Sequence, residues 1–192
     1  GRFYDKEQKS YFSQAISSYE SAIACTTFTK QKDNALWYLL QARINQSYSS
    51  TIKELKKYAQ QWTDPTYFDD LFESLIPSIL ASGDFECFKN LYYQIKDFAS
   101  KETVSKISYI YARLIQENFI TVKDKTEIEQ ALQTSLKNAV NPYYKILSAY
   151  RLKYNDEQMK EVLLTFPQTQ SITVNQDAEK LLKGYITFGF PD

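Results

Sequence analysis

The side chains able to do chemistry in this sequence are few. Cys25 and Cys87 are its only thiols, and histidine is absent altogether. That excludes a Ser-His triad, a Cys-His dyad, an imidazole metal site and haem ligation by His. Two thiolates are too few for a structural zinc site built mainly from Cys. Both cysteines fall near packed helical faces, which predicts buried free thiols; a disulfide between them is the alternative. Asp69, Asp70 and Glu73 cluster on one helix, where metal binding is one reading and a solvated face the plainer one. Lys53, Lys56 and Lys57 form a basic patch on another helix, with Glu54 beside them. The tyrosines are abundant. Tyr38, Tyr48, Tyr93 and Tyr144 read either as a stacking surface for a sugar or peptide, or as ridges between packed helices. Nothing here predicts a metal or a cofactor.

The elements that position these groups follow from composition. The chain has 192 residues, with 23 Lys+Arg against 23 Asp+Glu. Zero net charge and no basic block argue against nucleic acid as a partner. No apolar run reaches the roughly 18 residues of a membrane span. Gly and Pro together number 9, where average usage gives about 23. A chain so short of turn residues is not a β-sandwich or a disulfide scaffold, and the expectation is all-α. The 43% hydrophobic fraction predicts a packed core. The first residue, Gly1, reads as a cleavage scar, and any signal peptide would have been removed.

Periodicity gives an internal repeat. Phe72, Leu75, Ile76 and Ile79 lie on one face of a helix. Gly83 then ends that helix and Asp84 caps the next, whose inner face is Phe88, Tyr92 and Ile95. The same template fits from Tyr143, through Ile146, Leu147 and Tyr150, then Met159, Leu163 and Phe166, with Asn155 and Asp156 at the turn. It predicts that Phe88 superposes on Met159 and Tyr92 on Leu163. Trp37, Leu40 and Ile44 repeat the first-helix pattern. So do Ile107, Ile110, Tyr111 and Leu114, and Ala178, Leu181, Leu182 and Tyr185. These five starts are spaced by 35, 35, 36 and 35 residues. Ile52, Leu55, Ala59 and Trp62 fall on one second helix, displaced from the template. Ile128, Leu132, Leu136 and Ala139 fall on another, opened by a Thr126–Glu129 capping box. Asp64-Pro65 and Asn141-Pro142 read as N-cap followed by Pro at N1. Asp33 is placed to cap the Trp37 helix, and Pro77 to kink its own. Ala15, Tyr19 and Ala22 have second-helix spacing without a first helix before them. Both ends are therefore expected to cut through a repeat, as in a fragment of a longer polypeptide or a chain whose terminal helices cap differently.

This pattern resembles the tetratricopeptide (TPR) family. Trp37-Leu40-Gln41-Ile44 and Phe72-Leu75-Ile76-Ile79 match its first-helix size pattern, with Gln41 and Ile76 replacing a small residue. Gly83-Asp84-Phe85 matches its Gly-Asp-Tyr turn, and Ala15-Tyr19-Ala22 its second helix. The resemblance covers about residues 10 to 190. It implies an α-α superhelix, a right-handed solenoid of antiparallel helix pairs, as a single domain over 1–192. Loss of the small residues implies wider helix separation. The resemblance also implies a concave groove lined by Tyr38, Ala42 and Asn45, by Ser108, Ala112 and Ile115, and by Tyr144, Ser148 and Arg151. Tyr38, Asn45, Tyr144, Ser148 and Arg151 are its candidate ligand contacts.

Degenerate helical pairs of this length also resemble the N-terminal superhelical domain of soluble lytic murein transglycosylases. The segment Ala178 to Asp192 is similar to the helices that end that domain. The enzyme's catalytic Glu-Ser pair is followed by Gly-Leu-Met-Gln, and its Glu needs a raised pKa in an apolar groove. Glu20-Ser21 and Glu73-Ser74 are the two Glu-Ser pairs here, and neither has that sequel. The expectation is a non-catalytic binding or scaffold module of a bacterial envelope protein, taking a protein, a peptide or a peptidoglycan glycan. The alternatives are a transglycosylase domain whose catalytic part lies beyond Asp192, and a cytoplasmic TPR adaptor.

Overall fold

In a computed structural model, residues 11–165 are described, and they form eight α-helices with no strand among them. These are α1 (Phe12–Cys25), α2 (Thr29–Ala59), α3 (Asp69–Ser82), α4 (Phe85–Ile95), α5 (Lys101–Gln116), α6 (Thr126–Asn138), α7 (Pro142–Arg151) and α8 (Asp156–Leu164). A 3₁₀ turn, Pro65–Phe68, leads into α3. The Ala178–Tyr185 segment and Phe166 lie outside the described residues.

Most helix starts follow their caps. Asp64 accepts from Thr66 N at 3.0 Å, Asp84 from Cys87 N at 3.1 Å, and Asn141 from Tyr143 N at 2.8 Å. Asn155 and Gln158 form a reciprocal capping box. Two expectations are corrected. Helix α2 begins four residues before Asp33, so Asp33 does not cap it. Helix α6 begins at Thr126 itself, which puts that hydroxyl inside the first turn and leaves no Thr126–Glu129 box. Asp124 accepts from Thr126 N instead, at 2.8 Å. Helix α3 runs through Pro77 without interruption. Helix α2 is broken in the middle: Ser47 is extended (φ −165°, ψ 100°). Its Oγ accepts from Ser50 N at 3.4 Å, an N-cap for the second half of the helix.

One backbone feature recurs at a fixed interval. Among the described residues, positive φ occurs at Gly83 (73°), Asn118 (63°) and Lys153 (60°), each 35 residues after the last. Each ends the first helix of a pair in the left-handed conformation that releases the chain into the turn. Phe119 N and Ile120 N return to Leu114 O at 2.9 and 3.2 Å, and Tyr154 N returns to Ala149 O at 3.2 Å. A second series is polar. The buried Asp33 carboxylate accepts from Thr63 N and Asp64 N, each at 3.0 Å, and from the Thr63 hydroxyl. Asp69, 36 residues on, accepts from Ser100 Oγ (2.5 Å) and Thr103 Oγ1 (2.7 Å). Ser105, another 36 on, donates to Ser135 O at 3.0 Å. Each clamps a segment 30 to 34 residues further along the chain.

Packing joins chain neighbours. Helix α1 lies on α2, α3 on α4, α4 on α5, α5 on α6, α6 on α7 and α7 on α8, while α2 also meets α4 and α5 meets α7. Phe72, Leu75, Ile76 and Ile79 are buried as expected, and so are Phe88, Tyr92 and Ile95. The Tyr143 hairpin does not repeat this register. Tyr143 and Tyr150 are 61% and 70% exposed, and Leu163 is 50% exposed, while Ser148, Ala149 and Val162 are buried. Ser148 Oγ donates to Ser135 Oγ at 2.9 Å between buried helix faces. Small residues let α7 close on α6 and set its rotation, which a template of large residues does not detect. At the other end Ala15 and Tyr19 are buried but Ala22 is exposed.

The left-handed caps and the clamps give two stability predictions. A Cβ at Gly83 would meet nothing within 4 Å, so Gly83→Ala should cost about 1 kcal/mol from conformation alone. Lys153→Gly should instead stabilise by about 0.5–1 kcal/mol. Urea melts with unchanged slope read both, and equal signs for the two substitutions would refute the equivalence of these caps. Asp33→Ala strips two backbone N–H groups of their acceptor and should cost about 2–3 kcal/mol in the same melts; a change under 0.5 kcal/mol would remove its clamping role.

Candidate functional site

A groove of about 430 Å³ lies between α2 and α3. Trp37, Gln41 and Ile44 lie on one face of α2 at spacings of four and three, and Asn45 and Tyr48 extend that wall. Opposite, Asp70, Ser74 and Ser78 form a stripe at spacings of four on α3, beside Leu71 and Leu75. Trp37 Nε1 donates to Asp70 Oδ1 at 2.9 Å across the gap. The Tyr48 hydroxyl reaches Asp84 Oδ2 at 3.5 Å. Bulk at Trp37 and Gln41 keeps the two helices apart, whereas Ser and Ala let α5, α6 and α7 close.

The groove's polar groups are neutral apart from Asp70. Ser74 Oγ donates to Leu71 O (2.9 Å) and Ser78 Oγ to Ser74 O (2.8 Å), which leaves their lone pairs as acceptors. Among the described residues, Gln41 and Asn45 have no side-chain hydrogen bond, and no Lys or Arg lines the groove. Each carboxamide offers donors and an acceptor. The arrangement suits holding a polar, uncharged, extended ligand.

The five expected contacts fall in separate places. Asn45 lines this groove. Tyr38 turns toward α1, stacking on Tyr19 (5.7 Å, 15°) with its edge near Trp37. Tyr144 packs on Tyr109 at 5.8 Å. Ser148 is fully buried against Ser135, out of reach of a surface ligand. Arg151 lines a different hollow, at the end of α7. The sequence reading missed Trp37, Gln41 and Tyr48 as one wall, and all of the α3 wall. Gln41 was the available signal, a carboxamide at a position where a packed pair wants a small side chain.

The other chemical candidates have structural occupations. Glu20 is exposed and pairs with Arg43 at 2.7 Å, and Ser21 Oγ donates to Ser17 O. Glu73 is exposed. Asp69 and Asp70 serve different neighbours, and among the described residues no group of three acidic or thiol side chains is gathered for a metal ion. Lys56 and Lys57 lie over the rings of Phe98 and Tyr58. Both cysteines are free. Cys87 is buried, and burial pushes its thiol pKa up. Cys25, expected to be buried, is exposed as the last residue of α1.

The most perturbed titratable groups form a knot where α4, α5 and α6 meet. Glu127 Oε2 accepts from Tyr93 (2.5 Å) and Tyr111 (2.8 Å), whose hydroxyls are 3.0 Å apart. Tyr111 stacks on Tyr92 with centroids 4.1 Å apart. Burial, aided by Tyr93, Asp97 and Glu127, pushes the Tyr92 pKa up to about 12. Burial and the bonds to Tyr93 and Glu127 raise that of Tyr111 too. The fold thus favours neutral phenols. Their stabilisation is intact below pH 10, the ordinary tyrosine value, and is lost as pH climbs toward 12. The expected outcome is a melting temperature that falls between pH 10 and 12, and falls less steeply in Tyr92→Phe. An equally steep fall in the variant would show that Tyr92 is not responsible.

No family model, no curated protein and no solved structure matches the chain.

Proposed function

We propose that this chain is a non-catalytic helical-repeat binding module, a TPR-like right-handed solenoid of antiparallel pairs, that takes an extended peptide between α2 and α3. The carrying observation is the pair of uncommitted carboxamides, Gln41 and Asn45, facing the Ser74 and Ser78 oxygens across an apolar floor. An extended backbone presents N–H donors and C=O acceptors alternately, at about 3.4 Å per residue. Two carboxamides one helical turn apart complement that alternation. The left-handed caps every 35 residues and the clamps every 36 support the repeat reading. The likeness to envelope solenoids supports a bacterial envelope location, with the cytoplasmic adaptor as its rival.

A glycan is the competing ligand, and with it a place in a lytic transglycosylase. Glycan subsites use an open aromatic face. Here Trp37 and Tyr48 are partly buried and pack against the core, which favours the peptide.

Selection of a random peptide library on the immobilised chain tests this. Enriched peptides should lose about three- to tenfold in affinity on Gln41→Ala or Asn45→Ala, the worth of one hydrogen bond. Soluble murein glycan chains should not displace them. Displacement would move the reading to the transglycosylase alternative. Peptides indifferent to both substitutions would reject the groove.

A further inference from the structure

A second concavity lies away from the α2–α3 groove. Two hollows of about 390 and 350 Å³ share Gln116, Lys125 and Ile128, and so form one continuous trough where α5, α6 and α7 converge. Its floor is apolar: Ile115, Ile128, Leu132 and Leu152. Three cations line it: Lys125 at the start of α6, Arg151 in the last turn of α7, and Lys153 just past that turn. All three are exposed, and among the described residues none makes a side-chain hydrogen bond or ion pair. Gln116 is held by Arg113, and Arg113 by Glu117, so these neighbours do not neutralise the cations. One acid, Glu129, shares the trough, which leaves a local excess of two positive charges on a chain of zero net charge.

Lys153 adds a second observation. Its left-handed backbone position is the equivalent of Gly83 and Asn118, the residue types that tolerate it. A lysine there is conformationally unfavourable, yet it places an ammonium group beside Arg151 at the trough's edge.

We propose that this trough is a docking site for an acidic peptide segment. Its carboxylates would meet Lys125, Arg151 and Lys153, and its apolar side chains would lie on the Ile128–Leu152 floor. Charge complementarity selects this occupant. An anionic membrane is disfavoured because the cations line a concavity, which a flat anionic surface cannot enter. Nucleic acid is disfavoured because, among the described residues, no aromatic ring lines the trough for a base to stack on.

The probe is a fluorescein-labelled peptide of alternating Glu and Leu, read by fluorescence anisotropy on the full chain. A Lys-Leu peptide and phosphatidylglycerol vesicles serve as comparisons. The acidic peptide should bind, and should weaken at least tenfold in the combined K125Q/R151Q/K153Q variant and again in high salt. The Lys-Leu peptide should not bind. K53Q/K57Q, on another face, should bind as wild type does, and so should Q41A/N45A, which keeps this result separate from the fate of the first groove. The exchanged cations are exposed, and unchanged far-UV circular dichroism of every variant confirms folding. Failure to bind the acidic peptide overturns the proposal, as does binding indifferent to the triple substitution. Vesicle binding stronger than peptide binding overturns it in favour of a membrane surface.

Discussion

Everything in the described structure depends on fixing where helices some 30 residues apart in the chain sit on one another. Hydrophobic contact alone fixes this poorly, because apolar ridges slide and rotate at little cost. The buried Asp33 carboxylate removes that freedom. It holds the Thr63 and Asp64 amides, at the entrance to the next pair, with directional charge-assisted bonds. Asp69 does the same for Ser100 and Thr103 at the entrance to α5. With the entrances pinned, Phe72 and Phe88 enter one core, and the interhelical grooves acquire definite walls.

The helical class was legible from the scarcity of Gly and Pro and from apolar spacing. The middle repeat was legible in detail, since Phe72 to Ile95 is built from large residues whose burial follows their period. The outer repeats were less so. Around α7 the burial is carried by Ser148 and Ala149, whose small size is the reason they are inside. A pattern of large residues has no term for that, and it placed Tyr143 and Tyr150 in the core. The clamps were hidden for a different reason. Asp33 and Asp69 look like helix caps or solvated acids until the chain 30 residues later is brought beside them.

The binding surface followed the same logic. Asn45 was reached from the sequence because it lies on the first-helix face. The α3 wall was not, because its stripe of Asp70, Ser74 and Ser78 reads as an ordinary polar face unless another helix stands off from it. That stand-off comes from Trp37 and Gln41, one ring and one amide where closer packing needs small side chains. The trough of Lys125, Arg151 and Lys153 is likewise assembled from three elements and has no contiguous motif.

Ser47 carries a consequence for how the chain tolerates change. The two halves of α2 are joined by one extended residue, without a loop. Upstream, Trp37 to Asn45 build a groove wall; downstream, Ile52 and Leu55 enter the core. A residue inserted at this joint would turn one half against the other by roughly 100°, the angle per residue of an α-helix. The same insertion in the segment between α5 and α6 would lengthen a connection and leave both faces in place. Length variation among relatives of this chain should therefore gather after α5 and be shunned at Ser47, although both lie between the helices of a pair.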